Sequence, residues 1–391
     1  MTTADIDGDE VLGWPSRRRL DARTVFKDDL GRVISQTTPV LEQEGLITPT
    51  AAWYIVQHLG VPDPIHPFEW TLKIDGAVER PIELSFDQLR ELGGRTERVL
   101  LECSGSDANY FVEGADDLTE AQESARKRQQ QMGRTRANGM LLSAGEFTGV
   151  PLAAILELAG VRSDAVSVRL EGSDFGTPNS DVEPFFYDKA LPMNKALDPD
   201  TLIAWALNGE YLDHMHGAPA RAVVPGWSGN WHVKWLQRIE VLDHPGECWY
   251  QTEYYVYGES LENHEEMVTA VPVKSMVTFP GPDGTTLPRG RHVIRGLAWS
   301  GAGRVTQVEV SLDGGTSWEQ AILEPPADRW MWVRWSLSHD FDDAGQFVIQ
   351  ARATDEDGRV QGTDPRYEDR AKNFLIKNYA GIVPVPLTIS D

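Results

Sequence analysis

The chain after about Val268 alternates short apolar segments with tight turns, and this pattern constrains the fold more than any other feature of the sequence. Between Val308 and Leu312 apolar and polar residues alternate with the period of two that is typical of a half-buried strand. A turn follows at Asp313-Gly314-Gly315. Other segments of this kind are Val271–Val273, His292–Trp299, Trp330–Trp335 and Phe347–Ala353. Because no helical pattern separates them, this region predicts a β-sandwich.

The preceding part of the chain mixes strand and helix patterns. Ser85 predicts the N-cap of a short helix, and Pro151 and Gly160 predict the start and the end of another. The predicted strands cover residues 70–78, 82–84, 98–102, 166–171, 201–206 and 222–225. Residues 116–131 are charged and rich in Ala and Gln, which predicts a helix outside the core. This part of the chain therefore predicts a mixed α+β domain.

Length and charge narrow the class of protein. A chain of 391 residues exceeds a usual single domain, so we expect two domains. Residues 1 to about 50 are polar and irregular and predict a surface extension. The net charge of −24 disfavours nucleic-acid binding, because phosphate backbones require a basic face. An acidic surface serves solubility in most proteins, and it would also suit a cationic electron-transfer partner.

The sequence predicts no membrane span and no disulfide framework. No segment approaches the roughly 20 apolar residues of a spanning helix. The first residues carry no apolar signal segment, so we expect a cytoplasmic protein, or a periplasmic one if an export signal has been removed. Only Cys103 and Cys248 are present, and the chain contains neither a Cys-x-x-Cys-His haem attachment nor an iron–sulfur cysteine pattern.

Cys103 is the first candidate for a chemical role. It ends the apolar run from Arg98 and precedes the Ser/Gly turn at residues 104–106. A thiolate based on a strand and directed into a cleft is a good ligand for a soft transition metal. The alternative is an ordinary buried cysteine that acts as a small apolar side chain.

A second candidate is the basic, glycine-containing stretch from Asp213 to Trp235. It carries His, Arg and Lys around Gly turns, which suits an anionic, phosphate-bearing ligand that the backbone approaches closely. It matches neither a phosphate loop nor a dinucleotide fingerprint. Together with the Cys103 turn and with residues 296–304 and 308–318, this stretch resembles the sulfite oxidase family of molybdenum enzymes, in particular haem-free bacterial members.

The resemblance implies an architecture and a cofactor. A mixed α/β molybdopterin-binding catalytic domain is expected at residues 51–262 after the extension 1–50. An immunoglobulin-like β-sandwich at residues 263–391 is expected to dimerise two copies of the chain. The implied cofactor is molybdopterin, the molybdenum cofactor, with no haem or iron–sulfur cluster in the chain. Electrons would then pass to a separate acceptor, for example a cytochrome.

The resemblance also implies the site residues. Cys103 matches the cysteine that ligates the metal. Residues that match cofactor contacts are His58, Asp174, His216, Arg221, His232 and Lys234. If residues 232–234 form a strand, His232 and Lys234 share a face. The alternative for Asp174 is turn chemistry, and the alternative for Arg221 is a surface ion pair.

Tyr255 matches an active-site tyrosine of the family, whose hydroxyl would contact a group on the metal and assist proton movement. Tyr254 is the alternative register, and aromatic packing is the alternative role.

Two departures put sulfite itself in doubt as the substrate. Val56 and Ala108 stand where sulfite-oxidising members carry arginines that hold the anion. Residues 111–131 belong to an insertion, and Arg134, Arg136 and Lys377 are candidate substitutes for the missing charge. We therefore expect an oxidoreductase that transfers an oxygen atom to or from a small anion. The alternatives are a reductase of the same fold and a non-catalytic protein that keeps the fold.

Overall fold

The computed structural model describes residues 25–27, 31, 33–43, 45–106, 123–124, 127, 140–325, 328–364, 366 and 377–391. Among the described residues, the main elements of the first domain are two five-stranded sheets and three short helices, and two sheets packed face to face form the second domain. The predicted α+β class with an immunoglobulin-like β-sandwich is confirmed.

The first sheet of the first domain is antiparallel and contains β5 Arg95–Glu102, β6 Leu142–Pro151, β9 Leu202–Leu207, β10 Glu210–Tyr211 and β11 Arg221–Val223. Its strand order is β10-β9-β6-β5, and β11 pairs with β9. The second sheet has the order β4-β3-β12-β7-β8, with β3 and β12 parallel. Its strands are β3 Thr71–Gly76, β4 Ile82–Ser85, β7 Ser167–Gly176, β8 Phe185–Pro192 and β12 Leu236–Leu242.

The described helices of this domain are short, and two of them lie where the sequence predicts. Helix α1 covers Phe86–Glu91, and Ser85 and Gln88 cap it reciprocally. Helix α2 covers Leu152–Ala159 between Pro151 and Gly160, whose φ of +71° ends it in the left-handed conformation. Helix α3 covers Met193–Ala196. Of the helix predicted at residues 116–131, only residues 123, 124 and 127 are described, and they are helical.

Smaller elements connect the sheets. They are β1 Val25–Lys27, β2 Val33–Gln36, the hairpin β13 Val256–Gly258 with β14 His264–Met267, a π-helix at Tyr250–Tyr254, and 3-10 turns at Val40–Glu42, Thr50–Ala52, His214–His216 and Gly229–Trp231.

The β-sandwich encloses its own core. One sheet contains β15 Lys274–Phe279, β17 Gly290–Trp299, β21 Val333–Phe341 and β20 Ile322–Glu324. The other contains β16 Thr285–Pro288, β23 Val385–Ser390, β22 Gly345–Asp355, β18 Val305–Ser311 and β19 Glu319–Gln320. Buried side chains from the two sheets meet between them, among them Trp335 and Leu337 from one and Ile349 and Leu387 from the other. This is the packing that a period of two produces when one face of each sheet is apolar.

Strand β5 lies between two cores, and this explains its continuous apolar run. Val99 and Leu101 face the core below the cavity described next. Leu100 faces the opposite way, into a cluster that it shares with Trp299 and Trp332 of the sandwich. The strand that ends at Cys103 is therefore held from both sides, by its own domain and by the sandwich.

Three local predictions are wrong. Residues 36–40 do not lie on the surface: Thr38 and Val40 are fully buried, and the N–H groups of Thr38 and Thr48 donate to the Met140 and Ala144 carbonyls. Residues 1–24 of the predicted extension lie outside the described residues. Strand β21 begins at Val333, and the indoles before it donate from a turn to Asp200 and to the Leu46 carbonyl. Residues 271–273 precede strand β15.

Candidate functional site

A cavity of about 640 Å³, counting the part open to solvent, lies at the end of strand β5. The eight residues singled out from the sequence all line it: His58, Cys103, Asp174, His216, Arg221, His232, Lys234 and Tyr255. They come from seven separate segments of the first domain, so the cavity exists only in the folded chain.

Cys103 is half-buried at the rim of this cavity, in a turn that backbone bonds fix on several sides. Its N–H donates to the Leu141 carbonyl at 2.9 Å, and its own carbonyl accepts from Ser106 N–H at 2.8 Å. The next carbonyl, of Ser104, accepts from Asn378 N–H at 2.8 Å, so the carboxyl-terminal segment also holds the turn. The thiol therefore has a fixed base, as a metal ligand requires.

Glu102 anchors the same turn from behind. Its carboxylate accepts from Lys274 Nζ at 3.0 Å and from Trp299 Nε1 at 2.8 Å. Both ionic side chains are fully buried. Lys274 and Trp299 belong to the β-sandwich, so a buried ion pair connects that domain to the residue before Cys103.

His216 presents one ring nitrogen to the cavity. Asp213 caps the 3-10 turn at His216 N–H, and its carboxylate accepts from His216 Nδ1 at 2.7 Å. His216 Nε2 is buried and has no hydrogen-bond partner among the described residues. With the proton on Nδ1, Nε2 is an acceptor for a ligand N–H or O–H.

Arg221 is a buried cation and not a surface ion pair. Its guanidinium donates to the carbonyls of His216 at 3.0 Å and His232 at 3.1 Å. Burial lowers the pKa of Arg221 to about 10, which leaves it charged at neutral pH. A buried cation bonded only to carbonyl groups among the described residues favours an anionic ligand.

His232 and Lys234 lie in an irregular segment, so the predicted strand is wrong. The chain turns at Gly229–Trp231, and Trp235 has a φ of +49°, which interrupts any extended pairing before β12. His232 uses both ring nitrogens on backbone groups: Nδ1 accepts from Val224 N–H at 3.2 Å, and Nε2 donates to the Trp227 carbonyl at 3.0 Å. Its imidazole therefore holds the loop in place.

Lys234 and Asp174 face each other in the cavity. Lys234 Nζ donates to the Met215 carbonyl at 3.1 Å and lies 4.2 Å from the centroid of the Trp235 ring. Asp174 is buried, and its Oδ1 has no hydrogen-bond partner among the described residues. Burial raises the pKa of Asp174 and lowers that of Lys234, while their mutual attraction opposes both effects. Asp174 belongs to strand β7, so it is not an exposed turn residue.

Tyr255 and His58 form a short hydrogen bond, with 2.6 Å between Tyr255 Oη and His58 Nε2. Burial and the charges of Lys377, Lys189 and Lys234 lower the pKa of His58 to about 3, so the imidazole is neutral in this hydrogen bond. Burial raises the pKa of Tyr255 well above its usual value. Tyr254, the alternative register, does not line the cavity.

Tyr187 on the cavity lining and Lys189 behind it carry no clear motif in the sequence. Tyr187 stacks on His58 with ring centroids 5.7 Å apart and donates to the Asn230 carbonyl at 2.7 Å. Lys189 is fully buried beside Tyr255. The alternation of strand β8, which places Tyr187 and Lys189 on one face, is the signal that could have found them.

Some of the residues that depart from the sulfite-oxidising pattern lie in the described part of the chain. Val56 lines the cavity and brings no charge to it. Lys377 lies with its Nζ 4.8 Å from the centroid of the Tyr255 ring. Ala108, Arg134 and Arg136 lie outside the described residues, as does most of the insertion at residues 111–131.

The cavity wall fits a pterin that carries a phosphate. Four buried acceptor atoms on its lining residues have no hydrogen-bond partner among the described residues: Gln57 Oε1, Asp174 Oδ1, His216 Nε2 and Asn230 Oδ1. A pterin offers N–H donors to such atoms, and the cations Arg221 and Lys234 suit a phosphate. At Gly229 a side chain would enter this space, because a Cβ there would lie 2.6 Å from Tyr54 Oη.

Comparison with known proteins agrees with this geometry. The family model for the oxidoreductase molybdopterin binding domain matches residues 58–250, and that for the Mo-co oxidoreductase dimerisation domain matches residues 265–373. Fold and site thus define the molybdopterin binding domain of the oxidoreductase type, followed by the matching dimerisation domain. Sulfite oxidase of Gallus gallus is 30% identical over 342 residues, which cover 81% of this chain and 68% of that protein. The chain belongs to the sulfite oxidase family.

Two further proteins resemble this chain, one in sequence and one in solved structure. Mitochondrial sulfite oxidase of Rattus norvegicus is 31% identical over 350 residues, which cover 84% of this chain and 59% of that protein. The chain thus spans less than two thirds of that relative. The sulfane dehydrogenase SoxCD of Paracoccus pantotrophus superposes with a TM-score of 0.75 at 29% identity, over 96% of this chain and 88% of that one. In the part of the chain that the structure describes, no helix is long and apolar enough to cross a membrane.

Proposed function

We propose that the chain is a molybdenum-cofactor-dependent oxidoreductase of the sulfite oxidase or sulfite dehydrogenase type. The observation that carries this proposal is the cavity in which the Cys103 thiol meets four buried acceptors that have no hydrogen-bond partner among the described residues. When bound, the cofactor supplies a metal that accepts or donates an oxygen atom and two electrons. Electrons then pass to a separate acceptor, for example a cytochrome.

Each site residue has a proposed task. Cys103 ligates the metal as a thiolate, Arg221 and Lys234 bind the cofactor phosphate, and Asp174 and His216 accept from its ring. His232 holds the loop that presents Arg221, through the carbonyl that accepts from the guanidinium. Tyr255 keeps its proton on the oxygen that faces His58 and is the group placed to move a proton near the metal.

The substrate is proposed to be a small sulfur-containing or other oxyanion. Sulfite is the compound named for the chicken and rat relatives, and the SoxCD neighbour is named for sulfane dehydrogenation. A reductase direction is the second candidate, because Val56 leaves the cavity without a charge at that position. Assays with sulfite and an artificial one-electron acceptor, and with oxidised substrates and a reduced donor, distinguish the two.

The metal assignment is tested by Cys103→Ser with Cys248→Ser as the matched control. A serine hydroxyl is a harder and far less acidic ligand than a thiol, so we expect Cys103→Ser to lose turnover while the melting temperature stays near that of the native chain. Cys248 lies outside the cavity lining, and its substitution should preserve turnover. Native protein without molybdenum, or full turnover by the Cys103 variant, would contradict the proposal.

A homodimer is proposed through the β-sandwich, since the matched family model describes a dimerisation domain. Trp332 and Trp335 are buried inside the chain, so the interface must use other residues. Sedimentation equilibrium at micromolar concentration should give twice the chain mass, and a single-chain mass would count against the dimer. A cytoplasmic location stays a prediction.

A further inference from the structure

Phe175 and Phe186 form an exposed aromatic pair for which the proposed chemistry has no task. They face each other across strands β7 and β8, and their ring centroids lie 4.9 Å apart. The two residues are 50% and 41% exposed, although phenylalanine is one of the residues most often buried in folded proteins. Aromatic side chains that stay in water as a pair supply the kind of apolar centre that protein interfaces use.

The pair lies on the outer side of the cavity wall. Asp174 and Tyr187, which adjoin Phe175 and Phe186 in the chain, are buried and line the cavity. Successive strand residues point to opposite faces of a sheet, so one face of these strand ends meets the cavity and the other meets solvent. The Phe175 carbonyl accepts from Gly60 N–H at 3.1 Å, which fixes the backbone at this position. The exposed rings are therefore one peptide unit away from residues of the cofactor site.

Negative charge adjoins the aromatic pair. The turn that joins strands β7 and β8 carries Asp181 and Glu183, which are exposed and form no ion pair among the described residues. On the same face of the sheet, Arg169 and Arg238 are each held by two carboxylates at 2.9 to 3.2 Å. These carboxylates belong to Asp75, Glu171 and Glu240. The two arginines are thus engaged, and they do not neutralise the acids of the turn.

An apolar centre beside unneutralised acids favours a cationic protein partner. Charge of one sign on the surface attracts a partner of the opposite sign and orients it before contact, and the aromatic centre then excludes water. The net charge of −24 on the whole chain acts in the same direction. Complexes that transfer electrons bury a small area, so an exposed pair and one turn are large enough to serve as the centre of such an interface.

We propose that the β7–β8 tip, residues 175–186, is the docking surface for a cationic electron-accepting protein. This inference rests on the proposed function, and it adds where the acceptor binds and which charge it carries. An oxidised acceptor that docks here is reduced by one electron. Two such encounters remove the two electrons that oxidation of the substrate leaves behind. Since the aromatic pair faces away from the cavity, acceptor and substrate bind on opposite sides of the same wall.

The experiment measures binding of a basic, oxidised cytochrome c to the full-length holoenzyme, by titration calorimetry at low ionic strength. Asp181→Lys with Glu183→Lys reverses the charge of the turn, and Phe186→Ser removes half of the aromatic pair. We expect each change to weaken binding roughly tenfold. The effect of the charge reversal should shrink when the ionic strength rises to about 0.15 M, whereas the effect of Phe186→Ser should persist.

Two matched controls lie on the β-sandwich. Asp342→Lys with Asp343→Lys makes the same change in net charge at exposed positions, and Phe279→Ser removes a phenylalanine that is 40% exposed. Both controls should bind cytochrome c within about twofold of the native affinity. Turnover of Phe186→Ser with ferricyanide should equal that of the native chain, because a small acceptor needs no apolar docking surface. Its turnover with cytochrome c should fall.

The outcomes separate the two proposals. Absence of molybdenum from the native protein would overturn the proposed function. With full molybdenum content, a native holoenzyme that does not bind cytochrome c at micromolar concentration would overturn the docking inference alone, and so would native affinity in both tip variants. An equal loss in the Asp342 and Asp343 control would also overturn it, because net charge would then explain the binding. If Phe186→Ser does not fold, the charge reversal at the tip and its control decide the question.

Discussion

Lys274 of the β-sandwich and Glu102 of strand β5 form an ion pair in which both side chains are fully buried, with 3.0 Å between Nζ and Oε1. The pair lies one residue from Cys103, so the geometry of the candidate metal ligand depends on a contact between the two domains. A buried ion pair of this kind does not by itself stabilise the fold, but the loss of one partner is costly.

Lys274→Met should therefore lower the free energy of unfolding by about 3 to 5 kcal/mol, because it leaves the Glu102 carboxylate buried with only Trp299 as a described donor. Denaturant titration measures this change. The double variant Glu102→Gln with Lys274→Met, which removes both charges, should recover most of the loss. A loss under about 1 kcal/mol in the single variant would show that water compensates the carboxylate.

Gly217→Ala should impair cofactor retention. Gly217 has a φ of +101°, and a Cβ there would lie 3.0 Å from Lys234 Cβ and 3.2 Å from Arg221 Cβ. The added methyl group would push apart the two cations proposed to bind the phosphate. Gly93→Ala is the matched control, because Gly93 has a φ of +89° with nothing within 4 Å of an added Cβ. Both variants lose about 1 to 2 kcal/mol to backbone strain. Only Gly217→Ala should lower the molybdenum content per chain.

Tyr255→Phe should lower kcat roughly 100-fold, the lower end of what a positioned proton donor contributes. The variant keeps the ring between its neighbours and removes only the hydroxyl that faces His58. Steady-state kinetics with an artificial acceptor measure the effect. Tyr254→Phe, next in the chain but outside the cavity lining, should stay within about twofold of the native rate. The opposite result for the two variants would assign the role to Tyr254.

The free energy of unfolding should decrease as the pH falls, because His232 is buried in its neutral form. Burial lowers the pKa of His232 from 6.5 to about 3, so between these values the unfolded chain binds a proton that the native state does not. The contribution of His232 to the free energy of unfolding is fully present above about pH 6.5. It declines by up to about 1.4 kcal/mol per pH unit as the pH falls towards 3. Denaturant titrations give the free energy of unfolding at pH 7 and at pH 5. The difference between these two values should be about 2 kcal/mol smaller in His232→Gln than in the native chain.

Local chemistry explains which features could be predicted from the sequence. Ser85, Pro151 and Gly160 mark helix ends through caps and backbone conformation that depend on nearby residues alone. The alternation at Val308 and Val310 predicts strand β18 for the same reason. The eight candidate residues meet in one cavity as their resemblance to the family implies. Their chemical roles stay predictions.

The features that the sequence did not predict depend on contacts between residues that are separated along the chain. His232 and Lys234 alternate as strand residues do, but the two ring nitrogens of His232 bond to the backbone groups of Val224 and Trp227 and hold an irregular loop instead. Lys189 looks like an ordinary charged strand residue until Trp231 and Tyr255 close around it. The burial of Thr38 was not predicted either, because it depends on a backbone bond from Thr38 N–H to the distant Met140 carbonyl.

The hydrogen bond from Asn378 N–H to the Ser104 carbonyl joins positions that are far apart in the order of synthesis. Domains fold as units from the amino terminus while the ribosome is still extending the chain. The first domain can therefore collapse early, but the turn that carries Cys103 lacks its last backbone contact until residue 378 has emerged. A cofactor inserted with this turn in its final form has to be inserted after translation has passed that point.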